Sequence, residues 1–214
     1  MKFFRKSKDP DFLNEISKAF SFRVRTFGNT PAGVLWKSKE GQQLRFEVLS
    51  GILDDHQSST PVSINDYGCG YGAMHKFLLN MPSMKKMNYF GYDISKEMII
   101  AAKRYSDDKR ATFIEASKVT APADYTFVSG TFNLSLEMDV STWSNYVKTT
   151  LSQLWSMSNK GLAFNMLNKS HPKKENGLYY ASADEYRAFC KTLSRKVSLI
   201  DDYPLDEWTI YIHR

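Results

Sequence analysis

Two short runs in this sequence combine residue types that can hold a charged organic ligand. The first is Asp66-Tyr67-Gly68-Cys69-Gly70-Tyr71-Gly72. A side chain at Gly68 or Gly70 would keep a ligand off the backbone, and glycine tolerates the positive φ that such a turn needs. If a helix opens there, its first N–H groups point into the space left free. The spacing is not the G-x-G-x-x-G of a dinucleotide phosphate site, and a carboxylate at the head of the run would repel a pyrophosphate. Asp66 suits instead the cationic amino group of an amino-acid-like ligand. The second run is Tyr89-Phe90-Gly91-Tyr92-Asp93-Ile94. The Asp93 carboxylate offers two acceptor oxygens, enough for both hydroxyls of a ribose. Taken singly, the runs read as an ordinary strand–helix turn and an aspartate favoured by a helix dipole. Taken together they favour the ligand.

Elements of the right kind flank both runs. Val62–Tyr67 reads as a short buried strand, and Met74, Phe77, Leu78 and Met81 then recur at helical spacing, with Pro82 beyond. Residues 88–93 read as a second strand, and Ser95 can cap a helix whose inner face is Met98, Ile99, Ala102 and Tyr105. Ala111–Glu115, residues 124–129 and residues 161–166 read as further strands. Val140, Trp143, Val147, Leu151, Leu154 and Met157 form a long amphipathic helix before the last of these. The capping pattern Ser182-Ala183-Asp184-Glu185 opens a helix with Tyr186, Phe189, Cys190 and Leu193 inward. Lys196–Ile200 and residues 208–212 read as an antiparallel hairpin. Residues 11–53 are mostly helical in pattern, broken by the loop from Thr26 to Pro31. Alternating strands and helices predict a parallel sheet covered on both faces. Such sheets bind ligands beyond the carboxyl ends of their strands, where the strand order reverses.

The run from Ile64 to Gly72 resembles motif I of the class I S-adenosylmethionine (SAM) dependent methyltransferases. Tyr92-Asp93-Ile94-Ser95-Lys96-Glu97-Met98 resembles the segment after their second strand. The resemblance spans residues 40–214. It implies an α/β fold: a Rossmann-like, mostly parallel seven-stranded sheet with helices on both faces, a C-terminal antiparallel hairpin and an N-terminal helical cover. It also implies SAM as cofactor and S-adenosylhomocysteine as product. The family's roles then fall on Asp66, Gly68, Cys69, Gly70 and Gly72 for the methionine part and on Asp93 for the ribose. Ile94 is expected on the adenine face. After the third strand many relatives carry an aspartate that contacts the adenine amino group. Here Ser117 stands in that place, and its hydroxyl can still accept a hydrogen bond. Ser129 and Gly130, at the end of the fourth strand, are expected on the sulfonium side, with Asn133 facing the methyl acceptor. The Asp/Asn-Pro-Pro-aromatic motif of amino-methylating DNA enzymes is missing there, which argues against that activity.

Two residues ahead of the first strand join the candidate site. Arg45 is placed to form a bidentate pair with the methionine carboxylate, and Trp36 to close the pocket as an apolar wall; a surface arginine and a core tryptophan are the plainer alternatives. Of the four histidines, His56, His75, His171 and His213, two are candidates for a general base. His75 follows the glycine loop, and His171 lies after the fifth strand. The chain divides into a helical extension, residues 1–55, covering the pocket, and a SAM-binding domain, residues 56–214.

The bulk numbers fit this reading. With 214 residues, 42% hydrophobic and 14% aromatic, the chain can bury one core. Cys69 and Cys190 form no metal-ligand spacing, so no metal is expected, and they point to a reducing, cytoplasmic setting. Residues 1–10 are polar and expected to fray; the basic start lacks the apolar run of a signal peptide, and no segment has transmembrane length. The net charge of +6 is spread out, and its densest clusters, Lys85-Lys86 and Lys173-Lys174, are too small to mark a nucleic-acid or membrane surface. The expected partner is therefore a small-molecule methyl acceptor, on a monomer or homodimer. Methylation of protein or RNA, and SAM binding without transfer, are the alternatives. A nicotinamide-dependent oxidoreductase shares the architecture but not the glycine spacing.

Overall fold

The computed structural model describes residues 10–53 and 60–214. Helix α1 (Phe12–Phe27) and helix α2 (Lys39–Ser50) come first, joined through a 3-10 turn at Pro31–Val34. Ser38 caps α2, its Oγ accepting the Gly41 N–H at 2.9 Å. Then follow β1 (Val62–Tyr67), α3 (Ala73–Leu79), β2 (Met87–Asp93), α4 (Lys96–Tyr105), β3 (Ala111–Glu115) and β4 (Ala123–Ser129). The chain continues with α5 (Val140–Ser156), β5 (Ser158–Asn168), β6 (Tyr180–Ala181), α6 (Ala183–Leu193), β7 (Lys196–Ile200) and β8 (Glu207–His213).

The sheet runs β3-β2-β1-β4-β5-β8-β7. Its first five strands are parallel, and β8 lies antiparallel to both β5 and β7. This is the mostly parallel, helix-covered sheet with a closing hairpin that the sequence predicts. The two-residue β6, parallel to β5, is an addition too short for any periodicity to announce. Strand β5 also runs beyond the apolar stretch at 161–166, because its ends carry the polar residues Ser158, Asn159, Lys160 and Asn168. The frayed start expected at residues 1–10 lies, apart from Pro10, outside the described residues, as do His56 and the division at residue 55.

Two apolar layers hold the sheet. On one face α5 presents Trp143, Val147, Leu151 and Leu154 toward Leu162, Phe164, Ile210 and Ile212. On the other, Phe46, Leu49, Met74, Leu78, Ile99 and Ala102 pack from α2, α3 and α4. Each fully buried side chain of leucine size contributes about 1.5–3 kcal/mol. Asp139 caps α5, its carboxylate accepting the N–H groups of Ser141 and Thr142 at 3.0 and 3.1 Å. Among the described residues no helix is long and apolar enough to cross a membrane.

The order reverses at β1, where the chain runs outward through β2 and β3 and returns to β4 on the other side. A crevice opens there beyond the strand ends, and α1 is strapped across it. Ser17 Oγ donates to the Ile94 carbonyl at 3.0 Å, Ser21 Oγ reaches Glu97 at 2.7 Å, and Arg25 pairs with Glu97 at 2.6 Å.

Candidate functional site

A cavity of about 460 Å³ fills this crevice. Its floor is made by the ends of β1, β2 and β4, and α1 and the segment from Val34 to Phe46 lie over it. Strand β1 delivers Asp66, and the chain then turns through Gly68 and Gly70 with φ of 79° and 53°. Only glycine adopts such angles without strain. A Cβ at Gly68 would also collide with Thr131, whose Oγ1 is fixed on the Tyr67 carbonyl at 2.8 Å. The open backbone is therefore required twice, by the turn and by its neighbour.

The turn is tied to the second carboxylate. Gly70 N–H donates to Asp93 Oδ2 at 2.9 Å, and Ser95 N–H donates to Oδ1 at 2.8 Å. These bonds orient Asp93 and leave each oxygen a lone pair toward the cavity. Asp66 is almost wholly buried; its Oδ2 accepts the Tyr89 hydroxyl and its Oδ1 has no partner. Burial pushes the Asp66 carboxyl up to about 7, with the Tyr89 hydrogen bond opposing. It pushes Asp93 up to about 6, against the Ser95 and Gly70 N–H groups. Two carboxyls held high in one cavity, one with an empty acceptor, are what a cationic, hydroxyl-bearing ligand would satisfy.

The far wall is a chain of contacts from α2 to β4. Trp36 lies over Gly130, where a Cβ would strike its indole. The Arg45 guanidinium stacks on that indole, 3.9 Å from the ring centroid. Its Nε reaches both Glu207 carboxylate oxygens at 2.9 Å. Asn165 Nδ2 donates to the same carboxylate at 2.6 Å, and Asn165 Oδ1 accepts the Gly130 N–H at 2.8 Å. This corrects the expected role of Arg45. It lines the cavity, but its fork is spent on Glu207, a buried carboxylate from β8 that would otherwise lack a countercharge. Nearer the mouth, Lys37 bridges to Glu175 at 3.0 Å, both well exposed.

Most of the other predicted residues meet at this cavity: Cys69, Ile94, Ser129, Asn133 and His171 all line it. Burial holds the Cys69 thiol well above its ordinary value, so it supplies no thiolate. Ser117 does not line the cavity. Ala116 does, because the chain bends after β3 and leaves the Ser117 carbonyl to accept the Tyr67 hydroxyl at 3.0 Å. His75 is a second correction. The phase of α3 drives its ring into the core against Tyr89 and Phe113, away from the cavity. His171 is on the cavity, but its Nδ1 accepts the Lys173 N–H at 3.0 Å. Its Nε2 lies 3.5 Å from Asp206. Sequence reasoning missed Thr131, Glu207 and the Tyr71–Gln42 hydrogen bond of 3.0 Å. Only Tyr71, inside the glycine run, carried a local signal.

The family described as "Methyltransferase domain" matches residues 65–161. A Mycobacterium tuberculosis protein, the methyltransferase candidate Rv1506c, is 37% identical over 161 residues, covering 73% of this chain and 96% of that protein. Among solved structures, the magnesium protoporphyrin IX methyltransferase of Synechocystis PCC 6803, with bound SAM, superposes with a TM-score of 0.65 at 15% identity, over 98% of this chain and all of that one. A SAM-dependent methyltransferase of Leishmania major gives a TM-score of 0.66 at 17% identity, over 96% of this chain and 87% of that one.

Proposed function

The chain belongs to the class I SAM-dependent methyltransferase family, and on that footing we propose that it moves a methyl group from SAM to a small molecule held beneath α1 and Trp36. SAM is its cofactor, and when bound it supplies an electrophilic methyl group on a sulfonium. The residues present fit that group. Asp66 Oδ1 is a buried acceptor without a partner, suited to the ammonium. The Asp93 oxygens suit the ribose hydroxyls, the open backbone at Gly68 and Gly70 admits the methionine chain, and Ile94 offers an apolar edge to the adenine. Ser129 and Gly130 flank the sulfonium end.

The observation that carries the small-molecule reading is the roof. Helix α1, Trp36 stacked on Arg45 and the Lys37–Glu175 bridge lie over a cavity of about 460 Å³, room for one cofactor and a compact acceptor. In this reading the N-terminal extension, described over residues 10–53, acts as the cover. By excluding water, the cover prevents loss of the methyl group to solvent and fixes acceptor and methyl carbon in line, an arrangement worth up to about 7–11 kcal/mol of the barrier. The solved relative from Synechocystis is named for a small-molecule substrate, which agrees. Two buried free cysteines fit a reducing cytoplasm.

Calorimetric titration with SAM and S-adenosylhomocysteine tests the reading. Wild type should bind both, and Asp93→Ala should lose at least about tenfold in affinity, since one carboxylate takes two charge-assisted hydrogen bonds. Failure of the folded wild type to bind SAM would sink it. SAM binding with no label passing to any cellular fraction would make the protein a SAM binder without transfer.

A further inference from the structure

Resting on the methyltransferase reading, we infer that the acceptor is a carboxylic acid on an apolar body, its carboxylate received by Asn133 Nδ2 and the Ser129 hydroxyl. Asn133 is held on three sides. Its N–H donates to the Gly130 carbonyl at 3.1 Å, its own carbonyl accepts the Tyr179 N–H at 2.8 Å, and its Oδ1 accepts the Leu167 N–H at 3.2 Å. That last bond fixes which way the amide faces. Nδ2 is left beside Gly130, 3.4 Å from where a Cβ there would sit, closed off from water and with no acceptor. Ser129 Oγ, also on the cavity, is buried and without a partner as well. Unpaired buried donors are costly, and they persist where a ligand supplies the missing lone pairs.

The chemistry of these groups selects among acceptors. An amine would bring N–H groups that need acceptors, whereas the two unpaired groups here, Asn133 Nδ2 and Ser129 Oγ, include an amide that can only donate, and one lone pair of the Asn133 oxygen already takes the Leu167 N–H. An alcohol or thiol would need a base. Around the cavity Glu207 pairs with Arg45, Glu175 with Lys37 and Asp206 with His171, so the acidic and basic side chains outside the cofactor end each have a partner. Asp66 and Asp93 serve the cofactor end. A carboxylate matches the donors and needs no base, because it is already ionised at neutral pH. Leu134, Leu178 and Leu205 line the same cavity and suit an apolar body.

The step balances without a proton. A carboxylate oxygen forms a bond to the methyl carbon as the sulfur–carbon bond breaks, and that electron pair stays on sulfur. An anion and a sulfonium become a neutral methyl ester and a neutral thioether.

The test uses SAM labelled in its methyl group and the small-molecule fraction of a cell extract, followed by mild alkali. A methyl ester releases its label as volatile methanol, whereas methyl groups on nitrogen, sulfur or ether oxygen stay in place. Most of the transferred label should become volatile. Asn133→Asp, which keeps the bond to Leu167 and sets an anion against the acceptor, should cut transfer at least about tenfold. SAM affinity should meanwhile stay within about threefold of wild type, far from the loss expected for a broken charged hydrogen bond. Ser129→Ala, the milder change, should lower transfer about two- to tenfold. Alkali-stable label, no transfer by protein that binds SAM, or full activity in both variants overturns the carboxylate assignment. Loss of SAM binding by wild type overturns the cofactor assignment beneath it instead.

Discussion

Burial holds the Asp66 carboxyl near 7 and the Asp93 carboxyl near 6, against an ordinary value of 3.8. Between pH 4 and 7 the folded chain therefore binds more protons than the unfolded one, and stability without ligand should fall as pH rises through that window. Cofactor affinity should move the other way, because an ammonium and ribose hydroxyls call for ionised acceptors. Titration with S-adenosylhomocysteine from pH 5.5 to 8 should show affinity climbing and then levelling above about 7. Asp66→Asn should flatten the upper part of that rise; a wild-type profile already flat would refute the assignment. At this scale the sequence was informative where chemistry is local. The glycine run and Asp93 declare themselves by spacing, since a turn and a strand end are set by neighbours. Ser117 and His75 lie off the cavity for the opposite reason. One bend after β3 and the phase of one short helix decide which way each faces, and neither is written in residue type.

The elements show where long-range pairing takes over. Arg45 on α2 and Glu207 on β8 stand 162 residues apart and share a hydrogen-bonded pair with Asn165 and Trp36 around it. No local pattern announces such a partner, so sequence alone leaves Arg45 open between a ligand carboxylate and a plain surface position. The pair is nearly buried, with side-chain exposures of 11% and 1%. Removing one charge should strand the other. Glu207→Gln is expected to cost about 3 kcal/mol in chemical unfolding, while Arg45→Met combined with Glu207→Leu should recover most of it. Equal losses in the single and double variants would show that packing, not charge, governs this wall. By contrast the boundaries of β3 and β7 match the sequence expectation to the residue.

At the scale of the whole molecule, stability and ligand binding are partly separable. Leu151 is fully buried between α5 and the sheet and does not line the cavity. Leu151→Ala should destabilise by about 2–5 kcal/mol and lower Tm by roughly 5–15 °C for a chain of this size. Affinity for SAM should be unchanged below the transition; a matching loss of affinity would mean that this layer also sets the cavity. The strand order has a further consequence for how the protein is made. The wall beside Gly130 needs Glu207 from β8, the strand that slots between β5 and β7. At ribosomal speeds of about 5–20 residues per second, Arg45 waits on the order of ten seconds or more for its partner. During that time the glycine loop, Asp66 and Asp93 have already been synthesised. The nascent chain thus carries the glycine loop and both proposed cofactor carboxylates before it has the wall that closes beside them.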